Sequence, residues 1–168
     1  EGEGGNTGFY GGWGMIVVYE NSKMKWRDVT IFDGHAYIHD EAGNNNTMTY
    51  YELPVSGFHT VQNGTVNMKV GIIAGEGDRS VGGNGTDIDN FSIRNYQDNA
   101  WVPLFTTSNP VNNFFASSIV TDGIRNPSLY NNTGLDIVNV NVPTTALTNN
   151  QTSTKFRYGT NQDTYIIP

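Results

Sequence analysis

Leu135-Asp136-Ile137-Val138-Asn139-Val140-Asn141-Val142 alternates through eight residues, with Val138, Val140 and Val142 facing one way, and Pro143 closes the run. A period of two is the mark of a strand covered on one face, and a proline ends pairing because it has no amide to donate. The same grammar recurs along the chain. Val66, Met68, Val70 and Ile72 alternate with Asn67, Lys69 and Gly71; Ala36 to Ile38 and Thr47 to Leu53 flank the polar loop 42–46. Ile88 to Ile93, Thr154 to Tyr158 and Tyr165 to Ile167 supply further short runs. Composition agrees: Val and Ile number 26 against 11 for Leu and Ala, and Asn (22), Gly (20) and Thr (18) lead all other types. β-Branched residues favour strands, and Asn and Gly favour the turns between them. About eight to nine short strands in 168 residues predict one all-β domain, 1–168, built as a two-sheet β-sandwich or jelly roll.

Two stretches carry finer expectations. Trp13, Met15, Val17 and Tyr19 on one face, with Ile16 and Val18 on the other, predict a central strand dry on both sides, so that Val17→Asp abolishes folding. Val29 to Phe32, closed by Asp33-Gly34, is expected to follow it as the second arm of a hairpin. Between 110 and 120, Pro110 at a first helical position, then Val111, Phe114, Phe115, Ser118 and Ile119, predict at most one short helix.

Several classes of function are disfavoured by composition. A net charge of −7 works against a duplex nucleic acid or an anionic membrane surface as partner. The longest clean apolar run, Met15 to Tyr19, is far short of the ~20 residues that span a bilayer. With no cysteine there is no disulfide framework, no thiolate metal site and no thiol nucleophile. The opening on Glu1, without a signal peptide, and the strand-like ending Thr164 to Pro168 read as a piece of a longer chain.

The strongest constellation is acidic. Glu76 and Asp78 in a glycine-rich loop, followed by Asp87, Asp89 and Asn90, offer the hard oxygen ligands on flexible chain that calcium takes, though not at EF-hand spacing; Asp and Asn are equally ordinary turn residues. His35 and His39, with Asp33, Asp40 and His59, are too few for a zinc site of established spacing and read as surface histidines. Asp87 with Asp89, or Glu52 with a partner, is the nearest approach to a glycosidase pair, and no nucleophile elbow or phosphate loop occurs. No catalysis is expected. Exposed rings among Tyr50, Tyr51, Trp101 and Tyr130 would stack on sugars or dock a partner, while in a lean sandwich rings also fill the core. Six glycosylation sequons begin at Asn45, Asn63, Asn84, Asn90, Asn131 and Asn150, only modestly more than this Asn and Thr content supplies by chance.

Longer phrases carry a resemblance. Tyr10-Gly11-Gly12-Trp13-Gly14-Met15-Ile16-Val17-Val18-Tyr19-Glu20 and Arg27-Asp28-Val29-Thr30-Ile31-Phe32-Asp33-Gly34 are followed in order by Gly75-Glu76-Gly77-Asp78-Arg79 and Asn112-Asn113-Phe114-Phe115-Ala116-Ser117-Ser118-Ile119. Asn131-Asn132-Thr133-Gly134-Leu135-Asp136 and Gln162-Asp163-Thr164-Tyr165 complete the set. Together they resemble an uncharacterised β-rich domain of very large bacterial cell-surface proteins. The likeness is to versions in gliding Bacteroidetes, similar to gliding-motility adhesins exported by the type IX secretion system. That resemblance implies an extracellular, cell-surface location and a domain that begins before the Tyr10-Gly11-Gly12-Trp13 strand and continues past the Tyr165-Ile166-Ile167 strand. It implies a non-catalytic structural or adhesive role in attachment or gliding. The implied partners are neighbouring domains or subunits at the cell surface, and polysaccharide. Two other readings stay open: a subunit of an extracellular filament or sheath assembling by strand addition, and a carbohydrate-binding module.

Overall fold

The computed structural model describes residues 13–40, 47–75, 77–79, 89–121, 127, 131–161 and 164–168. Among them are nine strands and no helix. The strands are β1 (Ala36–His39), β2 (Thr49–Ser56), β3 (Met68–Gly75), β4 (Asp89–Asn95), β5 (Ala100–Pro103), β6 (Ile119–Val120), β7 (Leu135–Val142), β8 (Ser153–Thr160) and β9 (Thr164–Ile167). They form a five-stranded sheet in the order β1-β9-β3-β7-β6 and a four-stranded sheet in the order β2-β8-β4-β5. All pairings are antiparallel except β6 with β7. The two-sheet sandwich predicted from the alternation is the fold.

Alternation fixes which residues fill the space between the sheets. In β7 the buried positions are Asp136, Val138, Val140 and Val142, and in β8 they include Thr154, Phe156 and Tyr158. The five-stranded sheet adds Ile38, Ile72, Ala74, Tyr165 and Ile167 to the core, and the other sheet adds Phe91 and Ile93. Rings fill the interior: within the four-stranded sheet Phe91 stacks on Phe156 and Tyr158, with centroids 5.3 and 5.1 Å away, and Phe115 links the layers, stacking on Tyr165 at 4.1 Å with Tyr158 at 6.4 Å. Each such ring removes roughly 1.5–3 kcal/mol worth of apolar surface from water, which compensates for the small Leu and Ala content.

The short helix anticipated over 110–120 does not form. Phe114 and Phe115 are both wholly buried, and Ala116, Ser117 and Ser118 are buried beside them. A surface helix would turn part of that run to solvent. The chain instead crosses the end of the core as irregular backbone, its polar groups met by side chains. The Asp136 carboxylate accepts the amides of Ser117 (3.0 Å) and Ser118 (2.7 Å), and Asn109 Nδ2 donates to Phe114 O (2.7 Å) and Ser118 Oγ (2.6 Å). Ser117 stands at φ 53°, and its hydroxyl accepts the amides of Asn132 and Gly134, so hydrogen bonds hold a left-handed conformation that serine otherwise avoids.

A second correction concerns residues 13–35. Neither Trp13 to Tyr19 nor Val29 to Phe32 is a strand. Trp13 is 88% exposed and Val17 65%, so the dry central strand is overturned. The segment still touches the sandwich: a Cβ on Gly14 would lie 3.0 Å from Cδ1 of Ile73, a half-buried residue between the buried Ile72 and Ala74. Farther on, Thr30 Oγ1 donates to Gly57 O and Asp28 accepts the His59 amide. Apolarity on both faces marks a segment that can pair, but pairing also needs a free edge in register, which periodicity cannot reveal.

Candidate ligand-binding face

The outer surface of the four-stranded sheet gathers the polar chemistry of the molecule. In β8 the buried Phe156 and Tyr158 leave Lys155 and Arg157 pointing outward, and the register sets Arg157 opposite Glu52 of β2 and Ser92 of β4. Arg94 is paired with Trp101 of β5. Gly159 stands between Tyr50 and Asn90, where a Cβ would come within 2.9 Å of the Tyr50 ring and 2.5 Å of Asn90 Oδ1. A side chain at 159 would therefore push Tyr50 aside; glycine lets the ring lie across the sheet.

The cations are held by rings and by one carboxylate. The Arg157 guanidinium lies over Trp101 at 3.9 Å and over Tyr50 at 4.7 Å from the ring centroids, and Arg94 lies over Trp101 at 5.3 Å. Glu52 accepts from Lys155 Nζ (2.9 Å) and from Arg157 Nη2 (3.3 Å). The Lys155 hydrogen bond leads in holding the Glu52 carboxyl below its ordinary range. Arg94 also donates to the Asn99 amide oxygen, and among the described residues no carboxylate pairs with it.

Two adjoining hollows open here. One, of about 150 Å³, lies between Tyr50, Asn90, Ser92, Trp101, Val111 and Arg157. The other, of about 350 Å³, is lined by Glu52, Arg94, Tyr96, Trp101, Lys155 and Arg157. The larger is an open, mostly polar hollow on the sheet surface rather than an enclosed cavity.

Of the four rings proposed from sequence, Tyr50 and Trp101 meet on this face. Tyr51, one residue along β2, points to the other side, packs on the core and donates its hydroxyl to His39 O (3.1 Å). Tyr130 lies outside the described residues. Sequence reasoning missed Arg94, Lys155 and Arg157. Their signal was parity: Lys155 and Arg157 alternate with Phe156 and Tyr158, so a strand that buries the rings must expose the cations.

Of the acidic constellation, Asp78, Asp89 and Asn90 are among the described residues. Glu76 and Asp87 lie outside the described residues. Asp78 is exposed, Asp89 is wholly buried, and Asn90, its neighbour in β4, points to the opposite face. Among the described residues no three His, Cys, Asp or Glu side chains stand together as metal ligands. His39 instead packs between Tyr37 and Tyr51, with centroids 5.1 and 6.1 Å away.

Comparison with protein-family models, curated proteins and solved structures finds no match to this chain.

Proposed function

We propose that this chain is a non-catalytic adhesive module of a large extracellular cell-surface protein, supporting attachment or gliding, and that the outer face of its four-stranded sheet is the contact surface. Its partners on this reading are neighbouring domains of the same protein and a surface polysaccharide. The observation that carries the reading is the row Tyr50, Arg157, Trp101 and Arg94 laid across adjoining strands beside a cleft of about 350 Å³. Rigid strands position such a row better than loops do, and rings with fixed polar groups around a shallow cleft suit an extended polymer. The resemblance of the Tyr10 to Glu20 and Arg27 to Gly34 phrases to surface-protein domains points the same way. The test is twofold. Antibody against the segment should label intact cells, and the isolated chain should be retarded in gels containing acidic or neutral surface polysaccharide, with Trp101→Ala abolishing retardation. Recovery only from the cell interior, or retardation by no polysaccharide, overturns the reading.

A specific observation favours a second reading, assembly by strand addition. On the side of β3 away from β7, the register meets β9 only at Gly75, opposite Ile166, so Val70 to Ala74 present an edge with no strand partner among the described residues. An unpaired edge is a template for another chain's strand. Concentration-dependent growth of the isolated chain on size exclusion supports this reading, and a monomer at high concentration removes it.

A further inference from the structure

We infer that the cleft beside Trp101 selects an anionic polysaccharide, one whose pyranose units carry carboxylate or sulfate groups, with Arg94 and Lys155 as the residues that read the charge; this rests on the reading of that face as the adhesive surface.

The argument begins with what the rings do. In a platform for neutral sugars the ring faces are bare, and acceptors around them bind hydroxyl groups. Here the Trp101 ring is occupied by Arg157 at 3.9 Å, with Arg94 at 5.3 Å. The aromatics therefore serve to hold guanidinium groups in place. An arginine stacked on a ring has already lost much of its rotamer freedom, so less is lost when it closes on an anion.

Charge decides what that fixed array prefers. The chain carries nine Lys and Arg against sixteen Asp and Glu, yet three of the nine line this one cleft with a single carboxylate, Glu52, leaving a local charge of +2 on a protein of −7. Guanidinium and ammonium groups donate and cannot accept, so the ligand must bring the acceptors. Glu52 engages Lys155 and Arg157. Arg94 has no carboxylate partner among the described residues, and its place in register, one pair beyond Ile93 and Phe156, sets it across from Lys155. Neighbouring strands lie about 4.8 Å apart, so the two cations can close on one anionic group from both sides.

The experiment compares matched polymers against the 168-residue chain by affinity electrophoresis and calorimetry: polygalacturonate with its fully methyl-esterified form, and dextran sulfate with dextran. Binding to polygalacturonate should be about tenfold tighter than to its ester, because a hydrogen bond to a charged group contributes roughly 1.5–3 kcal/mol. Arg94→Gln should remove most of that preference. Lys69→Gln, the same loss of charge on the five-stranded sheet, should leave the preference intact. Preference for dextran sulfate alone keeps the inference and assigns the anion as sulfate. Equal binding within both pairs overturns it while the adhesive reading stands, and binding to none of the four overturns both. A preference lost equally in Lys69→Gln shows diffuse attraction and also overturns it.

Discussion

The guanidinium carbon of Arg157 sits 3.9 Å from the centroid of the Trp101 ring, across the breadth of β4, and Tyr50 lies over the same guanidinium at 4.7 Å. A cation between two rings is fixed without being deeply buried. Trp101→Ala should free Arg157 and Arg94 together and cost roughly 1–2 kcal/mol, as expected for two such contacts. Urea denaturation checks the value. A loss above that of a buried phenylalanine would mean that Trp101 supports the core rather than the face.

Phe115 is the severe case. It is wholly buried, stacks on Tyr165 at 4.1 Å and meets Phe114 edge-on at 5.1 Å. Phe115→Ala should cost about 3–5 kcal/mol, a large part of the ~5–15 kcal/mol that holds a domain of this kind together. Thermal and urea midpoints measure it, and a variant melting near the parent would place the ring outside the core.

The Asp136 carboxyl makes stability depend on pH. Burial pushes it from 3.8 up to about 6, against hydrogen bonds from Ser118 and Ser117. Because the folded pKa is raised, the native state holds the proton more tightly than the unfolded chain, and stability falls as pH rises through 6. Moving from pH 5 to pH 7 should cost about 1 kcal/mol, and Asp136→Asn should remove that slope. Glu52 shifts in the opposite direction from 4.5, so measurements belong at pH 5 and above. A stability that rises from pH 5 to pH 7 in the parent chain would falsify the account.

Space around Gly77 is the tightest among the described glycines. A Cβ there would stand within bonding range of Asp136 Oδ2 and 2.6 Å from the Phe115 carbonyl oxygen, which is backbone and cannot swing away. Gly77→Ala should cost about 1–3 kcal/mol through forced shifts, with the Asp136 hydrogen bonds to Ser117 and Ser118 lost first. Nuclear magnetic resonance of those two amides, alongside a melt, resolves the order.

Val17→Asp should be nearly silent, within about 0.5 kcal/mol, because Val17 is 65% exposed. Collapse of the variant would show that Trp13 to Tyr19 is covered when the chain folds in solution.

That reversal indicates what a single sequence discloses. β7 was legible in full, down to the inward set Val138, Val140 and Val142, because its polar positions fix one face. The same parity puts Asp136 on the buried side, a placement available from the pattern alone. Trp13 to Tyr19 misled because a run apolar on both faces carries no face information. Phe114 and Phe115 sit at near-helical spacing with their neighbours, yet being adjacent and both wholly buried they need cover all around, which irregular backbone provided. The site was half legible. Tyr50 and Trp101 stood out as aromatics, whereas Arg157 gained meaning only when pairing placed Glu52 on one side of it and Ser92 on the other.

The ties from Asp136 to the amides of Ser117 and Ser118 have a consequence for exchange with solvent. Loop amides ordinarily trade their hydrogens for deuterium quickly, since opening them disturbs little else. These two cannot open without leaving a buried carboxylate stripped of its donors, so they should exchange as slowly as the amides of β7 itself. An irregular stretch thus joins the most slowly opening unit of the sandwich.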